Sequence, residues 1–289
     1  MIREFKLTNS SGVEYNLTER KSFLYDIGGL GFSESTDYQN IGNHYKPLRR
    51  KYQQWAPEGT IIFCDWDTCY AEYHRFALFC QDSPLVLSYF QHNTTYYMQV
   101  LVSSLNKTEI GERDALECNI KFAALSPWYE VLSAERRQIE TGGSKTYDYA
   151  YEVNEERPDG GYIYGNDHGM SVTMVSPSRL KSPMRIGIHG PVLNPSWVLT
   201  CDGKTIGSGR VIASVDAAHM LVVDNTTPDF LIQIVDESGT EIVDAYQLSD
   251  FDTDRFVYLQ YGTNTLSVSH EGTEDVTVEV TAHVEYETV

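Results

Sequence analysis

A few groups of side chains have types and spacings that could do chemistry. Cys64 and Cys69 are separated by four residues, which could supply half of a zinc site. The other two ligands are missing at recognisable spacing, and the five cysteines (Cys64, Cys69, Cys80, Cys118, Cys201) form no disulfide framework. Reduced, mostly buried thiols are expected. Gly28-Gly29-Leu30-Gly31 has the glycine density of a phosphate loop. It lacks the Lys-Ser/Thr pair and the following amphipathic helix, so a sharp bend with positive φ is expected instead. Asp250-Phe251-Asp252-Thr253-Asp254 starts like a calcium loop, but Arg255 and Tyr261 stand where Gly and Glu belong, leaving only opportunistic calcium binding. The eight histidines form no His-x-x-x-His pair, His74 reads as a surface or interface residue, and no Gly-x-Ser-x-Gly elbow occurs. Paired carboxylates could cut a glycosidic bond, but with 41 acids no pair is singled out. Trp197 could stack on sugar, yet its alternating strand favours the core. Catalytic, cofactor-binding and metal-ligating residues are therefore each expected to be none.

One cluster points to contact rather than catalysis. Lys46, Arg49, Arg50 and Lys51 interleave with Tyr45, Tyr52 and Trp55. Such interleaving can mark a single-strand nucleic-acid site. The cluster is short and the chain is acidic, at −19 overall, which favours contact with another subunit or a neighbouring protein. Residues 1–133 hold −4 of that charge and residues 134–289 hold −15. An acidic second half excludes wrapping of nucleic acid. It supplies solubility or, more sharply, an acidic wall that repels passing DNA. No window is apolar enough for a membrane span, and the N-terminus has no signal-peptide core, so synthesis in a cytosol is expected.

These residues must be positioned by a mostly β chain with one N-terminal helix. Residues 2–8 and 13–17 alternate around Asn9-Ser10-Ser11-Gly12 and read as a hairpin. Residues 23–27 and 59–63 read as further strands. The helix starts at Asp67 or Thr68 as cap, carries Tyr70, Tyr73, Ala77 and Cys80 on its apolar face with Phe76 beside them, and stops before Pro84. A strand at 85–90 follows. Residues 134–143 read as a linker, 147–151 as a strand and 155–161 as a turn. Beyond Tyr162 all is β: strands near 171–175, 184–189, 197–201, 210–215, 220–224, 230–235, 255–260, 265–269 and 276–286, separated by turn signals, imply a two-sheet sandwich.

The chain is organised around Tyr96–Tyr129. Residues 96–102 are apolar on both faces apart from Gln99 and read as a buried strand. In the second run Leu116, Cys118, Ile120 and Phe122 face one way, and Glu117, Asn119 and Lys121 the other. The charged connection between the runs is too long for a two-residue turn. Such a long element suits a surface that neighbouring subunits cover. With Lys107-Thr108-Glu109-Ile110 between the strands and Pro127-Trp128-Tyr129 at the end, the stretch resembles the distal tail (Dit) proteins of long-tailed phages infecting Gram-positive bacteria. The short apolar-Gly element before Phe32 fits the same resemblance. So does Ile188-His189-Gly190-Pro191-Val192-Leu193-Asn194-Pro195, similar to the opening of the galectin-like domain of these proteins.

The resemblance implies a non-enzymatic homohexameric ring at the distal tail tip. An α+β N-terminal ring domain at 1–133 is followed by a linker or arm at 134–161 and a galectin-like β-sandwich at 162–289. The ring docks on the tail tube protein and holds the tail-associated tip protein, while the sandwich carries receptor-binding or baseplate proteins. DNA passes through the ring without sequence-specific contact, no membrane is involved, and assembly takes place in the host cytoplasm. The candidate subunit interface is Tyr96, Met98, Val100, Val102, Leu116, Cys118, Ile120 and Phe122. Replacing Val100 and Ile120 with Asp is then expected to give soluble monomers. The alternative is a carbohydrate-binding adhesin that recognises host surface glycans.

Overall fold

The computed structural model describes residues 3–54, 56–64, 68–110, 115–137, 170–236, 238–239, 242–272, 274 and 276–289. It divides into two compact units, Met1–Val131 with Val284–Val289, and Leu132–His283. The last six residues thus belong with the first unit, a return that local sequence pattern does not encode.

The first unit contains β1 (Glu4–Thr8), β2 (Glu14–Asn16), β3 (Thr18–Glu19), β4 (Ser22–Gly28), β5 (Phe32–Ile41), β6 (His44–Gln54), β7 (Glu58–Cys64), α1 (Cys69–Phe79), β8 (Leu85–Gln91), β9 (Thr94–Lys107), β10 (Ala115–Ala124) and the start of β11 (Trp128–Arg137). β10 lies between β9 and β7, and β4 follows β7. β9 also pairs with β8, which continues to β1 and β2. The turn from β8 to β9 is two residues, His92 and Asn93, both at positive φ, the backbone that matches strand twist in a tight hairpin. The alternation on β10 has its cause in packing: Leu116, Cys118 and Ile120 are fully buried against Ile61 and Phe63 of β7, Met98 and Val100 of β9, and Phe76 of α1. β9 is apolar on both faces in sequence, but only Met98 and Val100 are buried and Leu101 is exposed.

α1 forms where its apolar spacing predicts it, with a different seam. Cys69 and Phe76 are the buried residues and Tyr70 points outward. Phe76 sits 5.9 Å from the Phe63 ring and 4.9 Å from the Tyr15 ring. Thr68 takes the N-cap position without a side-chain hydrogen bond. Its carbonyl accepts the Glu72 N–H at 2.9 Å.

The second unit contains the rest of β11, then β12 (Met170–Ser176), β13 (Ser182–His189), β14 (Val192–Leu193), β15 (Ser196–Cys201), β16 (Lys204–Arg210), β17 (Ser214–Val215), β18 (His219–Asp224), β19 (Leu231–Asp236), β20 (Ile242–Asp244), β21 (Tyr258–Leu259), β22 (Gly262–Ser269) and most of β23 (Thr277–Tyr286). One sheet runs β20-β19-β18-β13-β23 and the other β12-β22-β15-β16. The inner faces alternate, most regularly on β12, where every second residue from Met170 is buried. This is the two-sheet sandwich expected from the close spacing of strands and turns. Trp197 anchors it, fully buried, with its indole N–H donating to the Arg255 carbonyl at 3.1 Å. β16 lies under that ring: a Cβ on Gly209 would come within 2.2 Å of it, so the position excludes a side chain.

Several readings of the sequence differ here. β11 continues through 134–137, where a linker is expected, and the remaining linker, the 147–151 strand and the 155–161 turn lie outside the described residues. The 210–215 strand is displaced: Lys204–Arg210 forms the long strand and Ile212 is exposed. Of 255–260 only Tyr258–Leu259 pairs.

Candidate assembly surfaces

The residues that could have done chemistry are structural where the structure describes them. Cys69 and Cys118 are buried, and burial pushes the Cys80 thiol up to about 12 and Cys118 to about 11, so both stay protonated and inert. No group of three or more His, Cys, Asp or Glu among the described residues could hold a metal ion. Gly29 has φ +80 and lies against the backbone of Ala56, where a Cβ would come within 2.2 Å of the carbonyl oxygen. This glycine run is a close-approach bend at the end of β4. The Asp250 carboxylate accepts the Asp252 N–H at 2.9 Å, a local turn. Trp197 is in the core and unable to stack on sugar. A shallow cleft of about 590 Å³ in the first unit is lined by Lys6, Tyr15, Arg75 and Phe79 among others. Arg75 pairs with Glu72 at 2.6 Å and lies over the Tyr15 ring at 5.5 Å, while burial raises the Tyr15 pKa. These contacts stabilise the helix against β2.

The candidate interface residues fall in the protomer's own core. Met98, Val100, Leu116, Cys118 and Ile120 are fully buried, Phe122 nearly so, and Tyr96 and Val102 are half-buried and pack against the same cluster. Tyr96 meets Tyr286 edge-on at 5.5 Å, and the Tyr286 hydroxyl donates to Glu130 at 3.0 Å. A side chain enclosed within one copy offers no area to a second. Apolar alternation reports burial and is silent on which chain does the burying.

The element that does lack a cover is β5–β6. Its register runs from Phe32 opposite Gln54 to Ile41 opposite His44, and it forms a sheet of two strands with no third among the described residues. Gly42 at φ +63 opens the two-residue turn, as a hairpin with glycine in the first turn position requires. Pro47 is tolerated because it lies in a ribbon with two open edges. Tyr38, Ile41, Tyr45 and Leu48 are 62%, 53%, 72% and 63% exposed. Lys46 and Arg49 share the ribbon with them and are also exposed. The sequence signal that finds this arm is the polar 38–52 stretch flanking Gly42-Asn43, in which the basic and aromatic residues stand out and the strand alternation does not.

Comparison with known proteins agrees in kind. The family described as "Distal tail protein, N-terminal domain" matches residues 4–125. No protein of curated function matches. Two solved structures of the phage P2 baseplate in its activated conformation, with Ca and with Sr, are similar at TM-scores of 0.65 and 0.66. Each shares 15% identity, and the alignment covers 100% of both chains. The crystal structure of the SPP1 Dit protein, from a Gram-positive-infecting phage, has a TM-score of 0.57 at 9% identity over 96% of this chain and 98% of that one. These likenesses show a shared fold. Together with the matched N-terminal domain, they make this chain similar to distal tail (Dit) proteins, in sequence over residues 4–125 and in fold over nearly its whole length.

Proposed function

We propose that the chain forms a hexameric ring at the distal tip of a phage tail, joining the tail tube protein above to the tail-associated tip protein below. The first unit builds the ring, and the second displays its sandwich for receptor-binding or baseplate proteins. DNA passes through the opening without sequence-specific contact. The ring is assembled in the host cytoplasm and does no catalysis.

The observation that carries this reading is the uncovered β5–β6 arm. A lone two-stranded hairpin is marginal in water, so a ribbon with exposed Tyr, Ile and Leu is completed by something outside its own protomer. A closed ring repeats one head-to-tail contact, so each subunit needs a projecting feature and a different surface that receives it. Eleven residues of β6 at about 3.3 Å each give a reach of roughly 35 Å, enough to cross into an adjacent copy. The adhesin reading has lost Trp197, its one named sugar platform.

The test is the mass of the purified protein by light scattering over a concentration series, with electron images of the same sample. Six subunits around an open centre are expected. A defined trimer, or a monomer at every concentration together with tail tips that show no ring of this chain, rejects the reading.

A further inference from the structure

A second uncovered surface lies in the second unit, where the loop after β18 meets the loop after β20. Four rings form one cluster there. Phe230 lies 5.3 Å from Phe256, Phe256 lies 6.5 Å from Tyr246, and Tyr246 lies 6.0 Å from Phe251, centre to centre. Phe256 and Tyr246 are half-buried, while Phe230 and Phe251 are 45% and 55% exposed. The rings are held in place. The Arg255 guanidinium lies 4.5 Å from the Phe251 ring centre and 5.3 Å from that of Tyr246, and it donates to the Tyr246 hydroxyl at 3.3 Å. The Arg255 carbonyl is the one that accepts the Trp197 N–H, which ties the cluster to the core. Phe230 and Arg255 both stand at positive φ, +45 and +63, a backbone that a bulky residue adopts only when its surroundings impose it. At Phe230 the strain sets a ring in solvent. An exposed aromatic platform fixed by a stacked Arg has the composition of an interface hot spot.

Charge selects the occupant. Between Thr226 and Phe256 the sequence holds eight acids and one cation, Arg255, which is stacked on the rings. Asp229 and Asp252, each beside an exposed ring in the chain, are themselves exposed. An acidic, apolar patch is complemented by a basic segment with apolar anchors. The chain's own β5–β6 arm does not supply one. Its register sets Asn40 opposite Tyr45 on one face, and Gln39 opposite Lys46 with Asp37 opposite Arg49 on the other, so no face of the ribbon offers Tyr45 together with the two cations. The occupant is therefore a different protein. We propose that the platform of Phe230, Tyr246 and Phe251 docks a basic segment of a receptor-binding or baseplate protein. Apolar side chains of that segment cover the two exposed rings, and its Lys or Arg side chains face Asp229 and Asp252. This rests on the reading of the second unit as the displayed part of the chain, and it names the displayed surface and the charge of what it holds.

Two variants test it. Phe251→Ser removes a ring, and Asp229→Asn with Asp252→Asn removes two charges. All three positions are exposed, and melting curves check that each variant folds. The probe is a short fluorescent peptide that alternates Lys and Leu, with a control in which Glu replaces Lys. Fluorescence anisotropy at physiological salt should show the Lys peptide bound by the unaltered protein and the Glu peptide unbound. Either variant should weaken that binding about tenfold or more. Equal affinity in all three proteins would mean attraction by the chain's overall charge and would overturn the proposal. The second measurement uses phage tails assembled with each variant. Images should show the ring unchanged, and mass spectrometry should show receptor-binding or baseplate proteins depleted. A full complement of these proteins on both variants overturns the docking and leaves the ring intact. Tail tips with no ring of this chain reject the ring reading, and the peptide measurement then decides the platform separately. Soluble cell-wall glycan fragments form the last arm: glycan binding that Phe251→Ser abolishes would hand the platform to sugar and overturn protein docking.

Discussion

The two long hairpins of the first unit have opposite fates. β9–β10 is apolar in sequence and buries one face on β7, α1 and the chain's own core. β5–β6 is polar and basic in sequence and leaves Tyr38, Ile41, Tyr45 and Leu48 in solvent. On the proposed ring reading, the difference teaches that a surface destined for a partner does not look like a core. An obligate core is written as alternation, because every second residue must avoid water. An arm that is folded before it meets its partner must remain soluble meanwhile, so its few apolar anchors are diluted among Lys, Arg and Gln.

The sharpest way to break this comparison is to put a charge into each hairpin. Val100→Asp or Ile120→Asp places a carboxylate at a fully buried site inside an apolar cluster. The loss should exceed about 4 kcal/mol, large against the stability of an ordinary domain. The expected product is unfolded or insoluble protein, in place of the soluble monomer that an interface position would give. Circular dichroism and a melting curve check it, and a cooperative, folded monomer would return β9–β10 to the subunit interface.

A milder cut asks the same question without a charge. Leu116→Ala leaves a cavity facing Ile61 and Phe63 and should lower stability by about 3 kcal/mol. Urea melts measure it. A loss below 1 kcal/mol would mean that the inner hairpin is held by something other than this packing.

Sequence made the core legible and the surfaces much less so. β10 and β12 alternate so regularly that their buried faces are readable residue by residue. α1 was legible as an element but not in phase, because Tyr70 and Cys69 both suit an apolar seam and only contact with Phe63 and Tyr15 selects Cys69 and Phe76. β16 was hidden by Gly207 and Gly209, which weaken a strand signal and which the overlying Val257 and Trp197 side chains require. β20 was hidden because three residues with all side chains exposed have no periodicity to read. The arm was visible as a basic-aromatic cluster and invisible as a hairpin. The return of Val284–Val289 to the first unit depends on long-range contacts and leaves no local trace.

That return sharpens the comparison through pH. Glu285 sits in the segment that joins the first unit beside Tyr286, which packs on Tyr96 of β9. Burial raises its carboxyl from 4.5 to about 7. The protonated form is the one the fold favours, so the stability it contributes is full below pH 4.5 and is lost as pH rises toward 7. Glu285→Gln should therefore melt higher than the unaltered protein at pH 8 and show little difference at pH 4.5. Discounted for the partial exposure of the group, the gain is about 1 kcal/mol. Melting curves at the two pH values suffice, and equal differences at both would place Glu285 in water.

The smallest stability effect belongs to the arm. Leu48→Ser removes an exposed aliphatic side chain from a ribbon that no third strand covers among the described residues. Nothing buried in the protomer is lost, so the melting point of the isolated subunit should move by less than the equivalent of about 0.5 kcal/mol. The same substitution should weaken self-association, because the side chain is buried only when a partner arrives. The two readouts thus separate in opposite directions for the two hairpins: Leu116→Ala lowers the melt of the subunit itself, and Leu48→Ser lowers assembly at constant melt. If Leu48→Ser lowered the subunit's melting point by several degrees, the arm would be part of the protomer's own fold, and the distinction between a hairpin that builds the subunit and one that joins subunits would fall.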